Sequence, residues 1–168
     1  MLWKKKVSHE KGEQAMSYAI SMKSFLPQAT ASIYVSITAA EIDQTIGQIF
    51  GEILNYMAEL RIQPAGPPFS RYFEFWPEHV TMEAGFPVSQ PVVRSGRIIA
   101  GELPGGEVAS TWHAGSYDTL GQAYTALQSW IKDKGRESGG SPWESYWTDP
   151  GTVPNPSEWR TEVIWPLK

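Results

Sequence analysis

Hydrophobic positions along the chain switch between two spacings in an order that occurs twice. Tyr18, Ile20 and Met22 alternate with polar residues, which predicts a half-buried strand from Ser17 to the interruption at Pro27. Ile33, Val35 and Ile37 continue the alternation as a second strand. Thr38-Ala39-Ala40-Glu41 then matches a capping box. Beyond it Ile42, Ile46, Ile49, Ile53, Met57 and Leu60 recur every three or four residues, the stripe of a helix with one buried face. Pro64, Gly66, Pro67 and Pro68 end that helix, and strands are expected at 69–76 and 80–86.

The second half follows the same plan. Strands are expected at 97–103 and 107–113, with Gly105-Gly106 as the turn between them. A helix then starts near Ser116 or Asp118 as N-cap, with Leu120, Ala123, Leu127, Trp130 and Ile131 as its stripe and Gly135 as the residue that ends it. Strands at 143–148 and 160–165 follow, separated by a proline-containing loop.

The two halves also share residues. Thr45-Ile46-Gly47-Gln48 returns 74 positions later as Thr119-Leu120-Gly121-Gln122, and Phe50, Ile53 and Tyr56 correspond to Tyr124, Leu127 and Trp130. Phe69-Ser70-Arg71-Tyr72-Phe73 aligns with Trp143-Glu144-Ser145-Tyr146-Trp147. A five-residue insertion shifts the offset to 79, so that Glu83 aligns with Glu162. The expected fold is α+β: two pseudo-symmetric β-β-α-β-β repeats at 17–88 and 97–167, with about eight mostly antiparallel strands and two helices around a shared groove. Residues 87–96 link the halves, and residues 1–16 are expected to be a polar tail.

Composition narrows the function. The 168 residues suffice for one domain, 17–168, with a real core. A net charge of −4 and no arginine-rich stripe argue against direct nucleic-acid binding. The one basic run, Lys4-Lys5-Lys6, lies in the tail. Without cysteine there is no disulfide, thiolate or zinc–thiolate chemistry. No apolar stretch approaches the ~18–20 residues of a membrane span, so a cytoplasmic protein is expected. Eight tryptophans and seven tyrosines suit a site for flat organic molecules.

Several stretches resemble the GyrI-like small-molecule-binding domain, whose relatives include effector-binding modules of AraC-type and MerR-type multidrug-responsive regulators. They are Pro67-Pro68-Phe69-Ser70-Arg71-Tyr72, Glu83-Ala84-Gly85-Phe86-Pro87-Val88, Leu103-Pro104-Gly105-Gly106, His113-Ala114-Gly115-Ser116-Tyr117, Pro142-Trp143-Glu144-Ser145-Tyr146 and Thr161-Glu162-Val163-Ile164-Trp165-Pro166-Leu167. The resemblance covers about Ser17 to Leu167. The resemblance implies two pseudo-twofold units with a groove between them. It also implies a stand-alone form, because about 16 residues before the first strand are too few for a helix-turn-helix. Stand-alone members of the family are binders, gyrase antagonists or hydrolases of cyclopropane-bearing alkylating natural products.

Glu144 is the sharpest candidate, since the second repeat carries a carboxylate where the first has Ser70. Its strand is aromatic, and the resemblance implies a pocket carboxylate at this position. Such a group handles protons or pairs with a cation. Alternation puts Tyr146 on the same face, and Tyr72 is its counterpart. Trp112 and Trp147 either line the groove or fill the core, core being favoured for Trp147. Trp143 and Phe69 are expected to lie against the helices. His113 is a candidate contact, with a capping or structural role favoured.

The leading expectation is hydrolysis of a strained electrophile for self-protection. Glu144 activates water, Tyr146 or Tyr72 steadies the leaving oxygen, Ser70 and the tryptophans line the site, and no metal or cofactor takes part. The rival is a non-catalytic protein that sequesters hydrophobic, planar or cationic molecules or antagonises gyrase. A SOUL-type haem-binding fold ranks last, with only three histidines present.

Overall fold

The computed structural model describes residues 17–168; the expected polar tail at 1–16, with its lysine run, lies outside them. Ten elements follow in the anticipated order: β1 (Ile20–Phe25), β2 (Gln28–Ile37), α1 (Ile42–Glu59), β3 (Phe69–Trp76), β4 (His79–Pro87), β5 (Ile99–Leu103), β6 (Gly106–Ala114), α2 (Leu120–Asp133), β7 (Trp143–Tyr146) and β8 (Arg160–Pro166). Eight strands, paired antiparallel wherever their register is defined, and two helices make this an α+β fold.

The chain forms two compact units. Unit 1 holds the residues up to Ser24 together with Gly106–Lys168, and unit 2 holds Phe25–Gly105. In unit 1 the strands lie in the order β1-β6-β8-β7, and in unit 2 in the order β3-β4-β2-β5. The units therefore differ from the sequence repeats by one strand each. β1, the first strand of repeat one, lies beside β6, and β5, the first strand of repeat two, lies beside β2. The two chain crossings use the matching Leu26-Pro27 and Leu103-Pro104-Gly105. A Cβ on Gly105 would stand 2.6 Å from Pro27 Cδ, so glycine is what allows this approach.

Register carries the repeat from sequence into space. In unit 2 Phe69, Ser70, Arg71 and Tyr72 face Gly85, Ala84, Glu83 and Met82. In unit 1 Trp143, Glu144, Ser145 and Tyr146 face Ile164, Val163, Glu162 and Thr161. Each pair in unit 1 is the counterpart of one in unit 2.

Each helix lies on one face of its own sheet. Thr38 and Glu41 open α1, with Glu41 Oε2 accepting from the Thr38 amide and hydroxyl, each at 2.8 Å, before a 3-10 turn at Ala39–Glu41. Ile49, Ile53 and Met57 are its buried stripe, and Phe50 meets Phe86 edge-on at 5.3 Å. In α2 Leu120, Ala123, Tyr124, Leu127 and Ile131 are buried, and Tyr124 meets Trp165 at 6.0 Å, the matching contact. A fully buried aliphatic side chain such as Ile53 or Leu127 contributes about 1.5–3 kcal/mol by leaving water.

The helices also end alike. Arg136 N–H bonds to Ile131 O past Gly135, which has φ 64°, and Ile62 N–H bonds to Met57 O past Arg61, which has φ 56°.

Three exposures differ from expectation. Leu60, expected in the buried stripe of α1, is 52% exposed, because the helix ends at Glu59. Met22 is 53% exposed, because β1 turns Lys23 inward to reach Glu162 and breaks the apolar alternation. Trp147, favoured for the core, is 56% exposed: it lies on the face away from α2, against Trp112, which is itself 45% exposed. Trp143 and Phe69 were expected against the helices; both are buried, but on the faces away from them, because alternation gives the helix side of β7 to Glu144 and that of β3 to Ser70 and Tyr72.

Candidate functional site

Alternation gives each sheet a face towards its helix and a face away from it. In unit 1 the helix-side residues of β7 are Glu144 and Tyr146. Glu144 is 2% exposed, and both of its oxygens are engaged. Tyr124, on α2, donates its hydroxyl to Oε1 at 2.8 Å, and Tyr146 donates to Oε2 at 2.6 Å. Burying a carboxylate costs several kcal/mol unless charge-assisted donors replace its water, and the two phenols supply them.

An aromatic run leads away from this carboxylate. Tyr117, in the 3-10 turn before α2, meets Tyr146 edge-on at 5.5 Å, and Trp159 lies 4.7 Å from Tyr117. Trp159 is fixed by donating its indole N–H to Val153 O at 2.7 Å. Tyr146, Tyr117 and Trp159 are all partly exposed, whereas Glu144 and Tyr124 are buried. Thr161 stands opposite Tyr146 in register, fully buried, with a hydroxyl that lacks a hydrogen-bond partner. The arrangement is a carboxylate with two phenolic donors at the base of an aromatic slope. It can pair with a cation, or accept a proton while a phenol donates one.

The other expected residues fall in three places. His113 is fully buried, with Nδ1 2.8 Å from Tyr18 Oη and Nε2 2.9 Å from Ser116 O and 3.0 Å from Thr119 Oγ1. With both ring nitrogens engaged, it ties β6 to the start of α2. Trp112 and Trp147 meet at 5.6 Å and are 45% and 56% exposed, on the face away from α2. Ser70 and Tyr72 occupy the helix side of unit 2, where the Ser70 hydroxyl donates to Tyr72 Oη at 3.2 Å. The sequence reading missed Tyr124, Tyr117, Thr161 and Trp159 as site residues. Tyr124 carried a usable signal, being the hydroxylated counterpart of Phe50.

The face away from each helix carries a buried carboxylate of its own. Glu83 accepts from Ser32 Oγ at 3.0 Å and lies 3.6 Å from Arg71 Nη1. Burial pushes its carboxyl above the usual range, and Ser32, Arg71 and Tyr34 oppose that shift. Tyr34 is raised in turn, first by burial and then by the Glu83 charge. In unit 1 Glu162 pairs with Lys23 at 2.6 Å. Among the described residues no group of His, Asp or Glu is placed to hold a metal, and no helix is long and apolar enough to cross a membrane.

Two repeats of this construction make one α+β architecture, with an aromatic-flanked carboxylate on the helix side of one of them. Residues 27–168 match the GyrI-like small molecule binding domain, and the chain belongs to that family. It is similar to the C-terminal domain of EcmrR, with 23% identity, a TM-score of 0.75, and coverage of 91% of this chain and 99% of that domain. Against EcmrR in its DNA complex the TM-score is 0.79 at 23% identity, over 90% of this chain and 57% of the EcmrR chain. A hydrolase encoded by lin2189 from Listeria innocua gives a TM-score of 0.65 at 10% identity, covering 89% of this chain and 91% of that one. SAV2435 bound to tetraphenylphosphonium gives 0.59 at 10% identity, covering 91% and 94%. At these identities the likeness establishes the fold. A search of curated protein sequences finds no match.

Proposed function

We propose that this protein binds a hydrophobic, planar or cationic small molecule at Glu144. The observation that carries the reading is the buried carboxylate held by Tyr124 and Tyr146 at 2.8 and 2.6 Å, with the partly exposed Tyr146, Tyr117 and Trp159 beside it. Ring faces attract a cation by about 0.5–2 kcal/mol each, and the carboxylate adds the charge. The lipophilic cation bound by the structurally similar SAV2435 supports this ligand class.

A second reading builds on the same atoms. Glu144 is a positioned base with positioned acids beside it, the arrangement needed to add water to a cyclopropane conjugated with a carbonyl. Glu144 takes a proton from water as its oxygen bonds to a ring carbon. The ring C–C bond breaks, its electron pair passes to the conjugated carbonyl oxygen, and Tyr146 protonates that oxygen. Assistance of this kind gives about 10²–10⁴-fold, enough for an activated substrate. The hydrolase from Listeria innocua shares the fold.

Both readings are tested by incubating the protein with a panel of lipophilic cations and cyclopropane-bearing electrophiles. Saturable tryptophan quenching that Tyr146→Phe weakens supports the site, and a product heavier by one water supports hydrolysis. Quenching that Tyr146→Phe and Tyr117→Ala both leave untouched refutes the site.

A further inference from the structure

The faces away from the two helices carry the same construction with one part changed. In unit 2 the buried Glu83 pairs across the strands with Arg71, and Tyr34 is the cross-strand neighbour of Glu83 on β2. Tyr34 and Phe73 stack at 5.3 Å and 14°. The Arg71 guanidinium lies 5.1 Å from the Phe73 ring centre and 3.6 Å from the Glu83 carboxylate. Ser32 completes the set by donating to Glu83 at 3.0 Å. The chain thus fills its own guanidinium position between a carboxylate and a ring.

In unit 1 each part has a counterpart except the guanidinium. Glu162 stands for Glu83 and is 4% exposed, Trp112 faces it on β6 as Tyr34 faces Glu83, and Trp147 corresponds to Phe73. Trp112 and Trp147 are in contact and turn large areas to solvent. The residue paired with Glu162 on β7 is Ser145, too short to reach a carboxylate and a ring together. Ser110 corresponds to Ser32, is 1% exposed, and its hydroxyl has no hydrogen-bond partner, unlike that of Ser32. The cation that Glu162 does hold is Lys23, which comes from β1 on the β6 side, 5.9 Å from the Trp112 ring centre. The β7 side of the carboxylate is left to Ser145.

We propose that Glu162, Trp147, Trp112 and Ser110 form a second ligand site in unit 1, which takes a guanidinium group. The guanidinium enters on the Ser145 side, lies against Trp147 as Arg71 lies against Phe73, and shares the Glu162 carboxylate with Lys23. Its planar fork can donate to the carboxylate and stack on a ring at once, which an ammonium cannot do. The group is carried either by a free small molecule or by an arginine on another protein, and the two are separable by experiment. This site is independent of Glu144 and lies on the opposite face of the sheet.

The test follows the indole N–H signals of Trp112 and Trp147 in ¹⁵N-labelled protein, assigned with Trp112→Phe and Trp147→Phe. Methylguanidinium should shift both signals saturably with a Kd of about 1 mM or tighter, and methylammonium should bind at least about fivefold more weakly. Ser145→Arg supplies the chain's own guanidinium, as in unit 2, and should abolish the titration in a folded protein. Lys23→Gln removes the competing cation and should tighten binding by about threefold or more. Arginine amide and a capped Gly-Arg-Gly peptide separate the sources: equal binding points to a protein-borne arginine, and loss with the peptide points to a free molecule. No shift of either indole, or a titration that survives Ser145→Arg, overturns the proposal.

Discussion

Under one strand register, Glu144 and Tyr124 of unit 1 stand where unit 2 carries Ser70 and Phe50. The surrounding frame is shared: Tyr146 and Tyr72 are identical, and Trp165 and Phe86 meet the two helices in the same way. In unit 2 the position ends in a short contact between Ser70 and Tyr72. In unit 1 it becomes a buried carboxylate with two phenolic donors. The Glu and the Tyr hydroxyl belong together, because each meets a hydrogen-bonding need of the other in that interior. The two units share a frame, and a matched pair of differences places a buried carboxylate on the helix side of one of them.

The largest expected effect lies on the other face. Removing one partner of a buried ion pair leaves the other charge uncompensated, so Arg71→Ala should cost about 3 kcal/mol in unfolding free energy at pH 7. Lys23→Ala, at the more exposed counterpart pair, should cost about 1 kcal/mol or less. Denaturant titration of both variants checks the contrast, and equal losses would break it. The Glu83 pair also has a pH signature. Its folded-state carboxyl is raised by burial, so its contribution is fully present below its unfolded value and is lost as pH rises through the folded one. Glu83→Gln should therefore remove part of the decline in stability on going from acid towards neutral pH. A stability profile parallel to wild type across that range would count against the assignment.

Next in size is the matched pair itself. Tyr124→Phe deletes a donor to a buried carboxylate and should cost about 1.5–3 kcal/mol. Tyr124→Phe with Glu144→Ser transplants the unit 2 pair into unit 1 and should recover at least about half of that loss. Additive losses in the double variant would show that the two residues are not coupled.

The smallest effect concerns the helix ends. Arg61 adopts the left-handed conformation that glycine holds at the matching Gly135, so Arg61→Gly should stabilise the protein by about 0.5–1 kcal/mol. Thermal melts would detect this, and a destabilisation would mean that the Arg61 side chain contributes more than its backbone strain costs.

Much of this comparison was legible in the sequence, and the reasons are local. Period-2 and period-3.6 spacings depend only on neighbouring residues, so the order of strands and helices followed from Ile33-Val35-Ile37 and from the Ile49-Ile53-Met57 stripe. The shared face of Glu144 and Tyr146 followed from alternation. Two features were not legible for physical reasons. Exchange of β1 and β5 leaves every offset unchanged, since a strand's own pattern does not name its partner. Trp147 was favoured for the core, but which face of a strand is covered depends on elements distant in the chain. Tyr124 stood in plain view as the counterpart of Phe50. Its meaning came only from a carboxylate twenty residues away in the chain and 2.8 Å away in space.

If Glu144 is the charge a ligand meets, calorimetry on a matched cation and neutral molecule will show it. Tetraphenylphosphonium and triphenylphosphine oxide would each be titrated into the protein and into folded Glu144→Gln, which keeps the shape and removes the charge. The cation should weaken by about tenfold or more while the neutral molecule stays within about threefold. Unchanged affinity for the cation in Glu144→Gln would contradict it.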